Sequence, residues 1–335
     1  MKQLLKLSAA SLLVVGALSV QASTLGDVQA KGYVSCGVSK GLAGFSSADS
    51  SGTWTGVDVD VCRAVAAATL GDAQKVKFVP LTAKERFTAL QSGEIDMLSR
   101  NTTWTITRDA SLGLNFAGVN YYDGQGFMVK SSLGVSSAME LSGAAVCIQA
   151  GTTTELNLAD WGKANGIEYN SVVSDTNAQT LTNYDAGRCD VLTTDASGLY
   201  SMRAAASDPS EHVVLPEIIS KEPLGPVVRQ GDAQWFNIVR WSLNAMITAE
   251  ELGVTSATVD DVSNNPERER LMGRSGSTHE YVGLTPDWTY QIVKQVGNYS
   301  ESFERNIGIN TPIGIARGVN ALWTDGGILY SPPFR

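Results

Sequence analysis

The chain has 335 residues, of which 43% are hydrophobic, and this length is enough for two domains with a sizeable core. Its formal net charge is −9, which makes it a poor partner for nucleic acid or for an anionic membrane surface. The composition therefore favours a globular protein that neither binds nucleic acid nor lies on a membrane.

The first 22 residues predict a secretory signal peptide. Met1–Lys6 is basic, an apolar run continues to Val20, and the residues at Val20 and Ala22 suit cleavage after Ala22. The apolar run is too short for a membrane span, and no later stretch is long and apolar enough to be one. We therefore expect an exported protein whose mature part does not span a membrane.

The cysteine content favours disulfide bonds, because an even number of cysteines in an exported chain is commonly oxidised. The cysteines are Cys36, Cys62, Cys147 and Cys189. Sequence alone allows three pairings, and Cys36–Cys62 with Cys147–Cys189 is favoured if each part of the chain forms its own lobe. The wide spacings and the distant histidines argue against a zinc site, so no metal is expected.

The N-terminal part alternates predicted strands and helices. The elements are a strand at 33–38, a helix at 58–70 that ends at Gly71, a strand at 75–81, and a helix opened by the capping box of Thr82 and Glu85. Strand, helix and strand at this spacing predict right-handed βαβ units and a mostly parallel sheet.

A second series of elements begins near residue 144. It comprises a strand at 145–149, helices at 152–165 and 177–186, a strand at 189–194, and a helix at 197–206. Extended segments at 121–129 and 222–229 lie on either side of this series and predict two crossings between two lobes. We assign residues 23–125 and 227–335 to the first lobe and residues 126–226 to the second.

The C-terminal part contains a predicted amphipathic helix at 235–251, followed by helical pieces at 266–271 and 288–296. We assign these elements to packing on the first lobe.

A polar stretch follows the buried strand end that is predicted at 95–98. It contains Asn101, Thr103 and Arg108 among several further threonines. Hydroxyl and amide groups at the carboxyl end of a strand can bind a small ligand in an open α/β sheet, and a guanidinium fits a carboxylate. Taken alone, the stretch is equally compatible with a threonine-rich surface loop.

A second polar cluster lies in the predicted second lobe. The amides at the start of the helix near Thr152 and Thr153 can bind an anion, although Thr152 and Glu155 also form a capping-box pattern. Asp195 ends a predicted strand, where it can bind an ammonium group or cap the next helix. Together with Arg108, the helix start and Asp195 form a clamp that suits an amino-acid zwitterion.

Five motifs occur in order along the chain. They are Asn-Thr-Thr-Trp-Thr-Ile-Thr-Arg-Asp at 101–109, Ser-Leu-Gly-Leu-Asn-Phe at 111–116, Gln-Ala-Gly-Thr-Thr-Thr-Glu at 149–155, Ala-Gly-Arg-Cys-Asp-Val-Leu-Thr-Thr-Asp at 186–195, and Lys-Glu-Pro-Leu-Gly-Pro at 221–226. With these motifs the sequence resembles the periplasmic solute-binding proteins of amino-acid ABC transporters, and especially the general L-amino-acid-binding subfamily.

The resemblance implies an α/β, two-lobed periplasmic-binding-protein fold of type II, in which each lobe is a mostly parallel sheet flanked by helices. It also implies a monomeric, non-enzymatic protein that needs no cofactor. Such a protein captures L-amino acids of broad variety in the periplasm and delivers them to the subunits of an ABC permease.

The resemblance also implies a role for individual residues. Arg108 matches the residue that binds the α-carboxylate, and Asp195 matches the acceptor of the α-ammonium. The residues that match hydrogen-bond donors are Asn101, Thr103, Thr152 and Thr153. The weaker candidates for the pocket around the ligand side chain are Leu42, Phe45 and Arg86.

Two other functions fit the same sequence less well. An enzyme on this scaffold, such as a dehydratase or lyase, would need a general acid or base in the cleft. His212 and His279 lie outside both polar clusters, while Glu94 and Glu155 have ordinary surface or capping roles. An extracellular sensor domain is the second alternative.

Overall fold

The computed structural model describes residues 23–335, so the predicted signal peptide lies outside the described residues. The strands in this range are β1 Val34–Ser39, β2 Ser47–Ala48, β3 Trp54–Thr55, β4 Val76–Leu81, β5 Met97–Leu98, β6 Leu114–Phe116, β7 Tyr121–Asp123, β8 Gln125–Lys130, β9 Ala145–Gln149, β10 Asn170–Ser174, β11 Val191–Asp195, β12 His212–Val214, β13 Glu222–Leu224 and β14 Val227–Arg229. The helices are α1 Thr24–Lys31, α2 Val57–Leu70, α3 Arg86–Ser92, α4 Ile106–Ser111, α5 Thr153–Asn165, α6 Asn177–Asp185, α7 Ala196–Ala205, α8 Ala233–Glu251, α9 Pro266–Leu271, α10 Thr278–Val282, α11 Trp288–Val296 and α12 Tyr299–Asn306.

Two five-stranded sheets form the centres of two lobes. The first sheet has the strand order β4-β1-β5-β14-β6, and the second has the order β10-β9-β11-β8-β12. In each sheet four strands run in one direction, and the fourth strand in the order, β14 or β8, runs against them. The mostly parallel sheets agree with the predicted α/β class, because helices connect most of the parallel strands.

The two lobes are joined by a short antiparallel ribbon. It consists of β7 and β13, in which Glu222 lies opposite Asp123 and Leu224 lies opposite Tyr121. After β7 the chain enters the second sheet through β8, and after β13 it returns to the first sheet through β14. Strand β8 starts at Gln125, one residue before the predicted lobe boundary, and the boundaries of the lobes stay a prediction.

The C-terminal segment packs on the first lobe. Helices α11 and α12 contact α2 and α8, and the ring of Phe334 lies 4.9 Å from that of Trp241 and 6.2 Å from that of Trp288. The segment also reaches the ribbon, because Tyr122 N donates to Asn320 Oδ1 at 2.7 Å and Asn320 Nδ2 donates to Tyr122 O at 3.0 Å. The C-terminal segment therefore holds the middle of β7, and with it the ribbon, in place.

Each lobe contains one disulfide bond. Cys36 of β1 is joined to Cys62 of α2, and Cys147 of β9 is joined to Cys189, just before β11. This is the pairing that the sequence favoured. The bonded cysteines are 26 and 42 residues apart, and closing loops of this size typically contributes about 2–4 kcal/mol to stability.

Most of the long helices occur where the sequence predicts them. Helix α2 ends at Gly71 with φ 66°, a left-handed conformation that glycine adopts without steric cost. The Thr82–Glu85 capping box also forms, since Thr82 N donates to Glu85 Oε2 at 2.9 Å and Glu85 N donates to Thr82 Oγ1 at 3.3 Å. It stabilises a turn, and α3 itself begins one residue later, at Arg86.

Candidate functional site

Arg108 is placed by a short helix at the carboxyl edge of the first sheet. Thr105 Oγ1 accepts a hydrogen bond from Arg108 N at 3.2 Å and so caps α4. The Arg108 side chain is buried, its Nη1 donates to the Thr103 carbonyl oxygen at 2.9 Å, and its guanidinium lies 5.2 Å from the centre of the Phe87 ring. These contacts hold one side of the guanidinium and fix its orientation.

A second buried arginine, Arg86, lies beside Arg108 and bridges the lobes with long contacts. Its Nη1 donates to Thr102 Oγ1 at 3.3 Å and its Nη2 to the Gly151 carbonyl oxygen at 3.5 Å, while its Nε has no hydrogen-bond partner within residues 23–335. Burial lowers the pKa of Arg86, and the positive charges of Arg108 and Arg100 lower it further. The first lobe therefore concentrates positive charge at this edge.

The start of α5 faces this positive charge from the second lobe. The capping box that Thr152 and Glu155 could form there is absent. Thr152 Oγ1 donates to the Gln149 carbonyl oxygen at 2.7 Å, and Glu155 Oε2 accepts from Gly151 N at 2.7 Å. Gly151 has φ 75°, so the chain turns one residue before the helix and brings the Gly151 amide within reach of Glu155. The alternative in which Thr152 and Glu155 form a capping box is therefore wrong, because neither side chain caps the other.

Asp195 is a buried carboxylate at the end of β11, and it does not cap the helix that follows. Asp123 of the ribbon takes that position and accepts hydrogen bonds from Ser197 N and Ser197 Oγ. Burial raises the pKa of Asp195 well above its ordinary value, and the negative charges of Asp123 and Glu222 raise it further. The buried Asp195 carboxylate therefore accepts no hydrogen bond from the start of α7.

The structure brings the two polar clusters together across the lobe boundary. Thr103 Oγ1 of the first lobe and Thr153 Oγ1 of the second are 3.3 Å apart. At the rim of the same boundary, Lys84 Nζ lies 2.8 Å from Asp175 Oδ1. The lobes are thus closed on each other, with Arg108 on one side and Asp195 on the other.

The remaining predicted site residues, Asn101, Leu42 and Phe45, contact the core of the first lobe. Asn101 N donates to Asp58 Oδ2 at 2.6 Å, and the Asn101 backbone has φ 32°. Leu42 and Phe45 are buried in the core, and the Phe45 ring packs edge-on against Tyr121 at 5.5 Å. A contact of these three side chains with a ligand stays a prediction.

Glu222 of the ribbon lies in the same region and is absent from the site residues predicted above. Its side chain is buried and accepts hydrogen bonds from Thr153 Oγ1 at 2.9 Å, Asn157 Nδ2 at 2.6 Å and Ser220 Oγ at 2.7 Å. The local sequence contains no signal for it, because Glu222 directly follows Ser220 and Lys221, and an acid among polar residues is ordinarily exposed.

Membrane-spanning helices and metal-binding clusters are both absent from residues 23–335. No helix in this range has the length and apolar character required to cross a bilayer. No group of three or more histidine, cysteine, aspartate or glutamate side chains in this range is arranged to hold a metal ion.

Comparison with known proteins identifies similar chains over nearly the whole length. Residues 34–258 match the model of bacterial extracellular solute-binding proteins, family 3. The general L-amino acid-binding periplasmic protein AapJ of Rhizobium johnstonii is 60% identical over 330 residues, which cover 97% of each chain. The glutamate/glutamine/aspartate/asparagine-binding protein BztA of Rhodobacter capsulatus is 56% identical over 326 residues, 96% of each chain. A solved periplasmic binding protein of an ABC transporter from Brucella ovis, with glutathione bound, has a TM-score of 0.92 and 57% identity, and the match covers 94% of this chain and all of that one.

Proposed function

The chain belongs to the bacterial extracellular solute-binding proteins of family 3, and we propose that it captures L-amino acids between its two lobes in the periplasm and presents the closed form to an ABC permease. Relatives at 56–60% identity are named as proteins that bind amino acids, which supports this proposal.

The observation that carries the proposal is the placement of opposite charges on the two sides of the closed boundary. Arg108 and Asp195 are both buried, come from different lobes, and are close enough for each charge to shift the pKa of the other group. Neither charge has an ion-pair partner within 4.0 Å among residues 23–335. Buried charges without partners are costly, so a ligand with one anionic and one cationic end would satisfy both at once.

In this arrangement the ligand lies with its α-carboxylate on Arg108 and on the amides at the start of α5. Its α-ammonium lies on Asp195. Because this clamp contacts only atoms that all amino acids share, it accounts for a broad ligand range, which is also what the name of the 60% identical relative states for that protein.

Arg86 is expected to favour ligands with an acidic or amide side chain. Its guanidinium is buried, makes only long hydrogen bonds, and leaves Nε unpaired. Arg86→Gln should weaken L-glutamate binding about tenfold more than L-alanine binding, because a buried charge-assisted hydrogen bond contributes about 1.5–3 kcal/mol. Calorimetry with both amino acids measures this difference.

Lys84→Gln is the control for that experiment. It removes the same charge two residues away, but Lys84 is exposed at the rim and pairs with Asp175. If Lys84→Gln changes the preference for L-glutamate as much as Arg86→Gln does, the effect is a general one of net charge. Equal weakening of both ligands by Arg86→Gln would also contradict a role in side-chain selection.

The identity of the natural ligand is tested by mass spectrometry of the small molecules that copurify with the protein. Calorimetry across the standard amino acids then gives their order of affinity. Failure of every amino acid to bind the ligand-free protein would contradict the proposal.

An enzymatic function on the same scaffold predicts a different result. If the protein is a dehydratase or lyase, an amino acid incubated with it at equal concentration will be converted to product. Recovery of unchanged ligand after unfolding is expected for a binding protein.

A further inference from the structure

Glu222 occupies a position that links the ribbon to the Thr103–Thr153 contact. The sole hydrogen of the Thr153 hydroxyl is donated to Glu222 Oε2 at 2.9 Å. The other Glu222 oxygen, Oε1, accepts from Asn157 Nδ2 and Ser220 Oγ. Three donors converge on one buried side chain, and an ionised carboxylate is the form that only accepts.

This arrangement sets the direction of the next hydrogen bond. Because Thr153 has already donated its proton to Glu222, the 3.3 Å contact with Thr103 requires Thr103 to donate and Thr153 to accept. The Thr103 proton then points at Thr153 Oγ1, and the Thr153 proton points at Glu222 of the ribbon. The lone pairs that remain on Thr103 Oγ1 can only accept a hydrogen bond from a ligand.

We propose that Glu222 sets this direction, so that the Thr103–Thr153 contact accepts hydrogen bonds from a ligand ammonium or N–H group and does not donate to the ligand carboxylate. The inference rests on the proposed function and refines it. It reverses the expectation that the two hydroxyls are donors, and it assigns to Glu222 a positioning role in ligand selection.

The position of Glu222 in the ribbon supports a role that reaches beyond anchoring α5. Glu222 pairs across the ribbon with Asp123, and Asp123 holds the start of α7 next to Asp195. One acid therefore binds a side chain at the start of α5, and the other binds the start of α7. The negative charges of both acids act on Asp195, so a cationic ligand group is favoured beside them.

The test compares Glu222→Gln with the wild-type protein, using two probes. L-Glutamine has the α-ammonium, whereas 4-carbamoylbutanoate is the same molecule without it. A neutral glutamine side chain can turn its NH₂ group towards Thr153, which lets the two hydroxyl protons point into the cleft. We therefore expect Glu222→Gln to weaken L-glutamine binding about tenfold or more and to reduce the preference for L-glutamine over its analogue by at least about tenfold.

Asn157→Ala is the matched control. It removes a different hydrogen bond from the same helix to Glu222 and leaves the Thr153 bond in place. The preference between the two probes should stay within about threefold of the wild-type value. If Asn157→Ala lowers the preference as much as Glu222→Gln does, Glu222 only anchors α5 and the proposal is wrong. An unchanged preference in Glu222→Gln would overturn it as well.

Substitutions of Thr153 test the proposal if Glu222→Gln does not fold. Thr153→Val removes the hydroxyl at nearly constant shape, and Thr153→Ser keeps it. Thr153→Val should lose the preference for L-glutamine, and Thr153→Ser should retain it; equal behaviour of the two variants would overturn the proposal. If the wild-type protein binds other amino acids but not L-glutamine, the same comparison uses the amino acid that binds most tightly and the analogue of it that lacks the α-ammonium. Absence of all amino-acid binding overturns the proposed function and this inference with it.

Discussion

Replacing Arg108 with glutamine is expected to weaken the binding of every L-amino acid by about a hundredfold, or roughly 3 kcal/mol. The loss is large because the α-carboxylate becomes buried when the lobes close, and without Arg108 it would be left without its main charged partner. Thr103 and Phe87 already fix the guanidinium, so the wild-type side chain loses little entropy when it binds the carboxylate.

Calorimetry with alanine, leucine, glutamine and glutamate measures this effect, and the loss should be similar for all four because they share the carboxylate. Arg203→Gln is the control, since that guanidinium also lies over an aromatic ring, Tyr200, but in the last turn of α7. Thermal unfolding of the ligand-free variants shows whether they fold. Affinities within about threefold of wild type, under 1 kcal/mol, would contradict the role of Arg108.

Asp195→Asn is expected to reduce affinity by a similar factor, about a hundredfold, but to leave the ligand-free protein as stable as before or more stable. The substitution lowers affinity but does not lower stability, because the ionised Asp195 carboxylate is favourable only when a ligand ammonium group is bound. In the closed protein without ligand, burial and the charges of Asp123 and Glu222 raise the pKa of Asp195. A raised pKa means that the folded state disfavours the ionised form, so its removal relieves a cost.

The same linkage predicts the direction of a pH effect. Because the folded-state pKa of Asp195 lies above its ordinary value of 3.8, its contribution to the stability of the closed, ligand-free protein improves as the pH falls through the raised pKa. Asp195→Asn should remove this pH-dependent contribution to stability.

Asp190→Asn is the control, since Asp190 lies just before the other end of β11 and binds the Ala145 amide. A loss of stability in Asp195→Asn without any loss of affinity would contradict the assignment.

The parts of the fold that depend on local sequence were predictable. Apolar runs and glycines such as Gly71 determine where a strand or helix begins and ends, and these signals lie within a few residues of each other. Helix α4 was missed because it has six residues and starts inside a threonine-rich stretch, where Thr105 caps it. The short helix has no apolar periodicity that a sequence pattern can detect.

The parts of the site that depend on distant residues were not predictable in the same way. Thr153 is oriented by Glu222, 69 residues away, and the start of α7 is held by Asp123, 74 residues before Ser197. The local sequence around Asp195 fits a helix cap, and only the ribbon shows that another acid already fills that position. Arg108 and Asp195 were predicted as ligand residues because the first adds a guanidinium to a polar stretch that follows a predicted strand, and the second ends a predicted strand with a carboxylate.

A crystal structure of the protein loaded with its tightest-binding amino acid would test the central claim most directly. We expect one ligand between the lobes, with its α-carboxylate oxygens about 2.7–3.2 Å from the Arg108 guanidinium nitrogens and its α-ammonium at a similar distance from the Asp195 carboxylate. A ligand bound outside the boundary between the lobes, or bound there with its carboxylate and ammonium on other residues, would contradict the clamp.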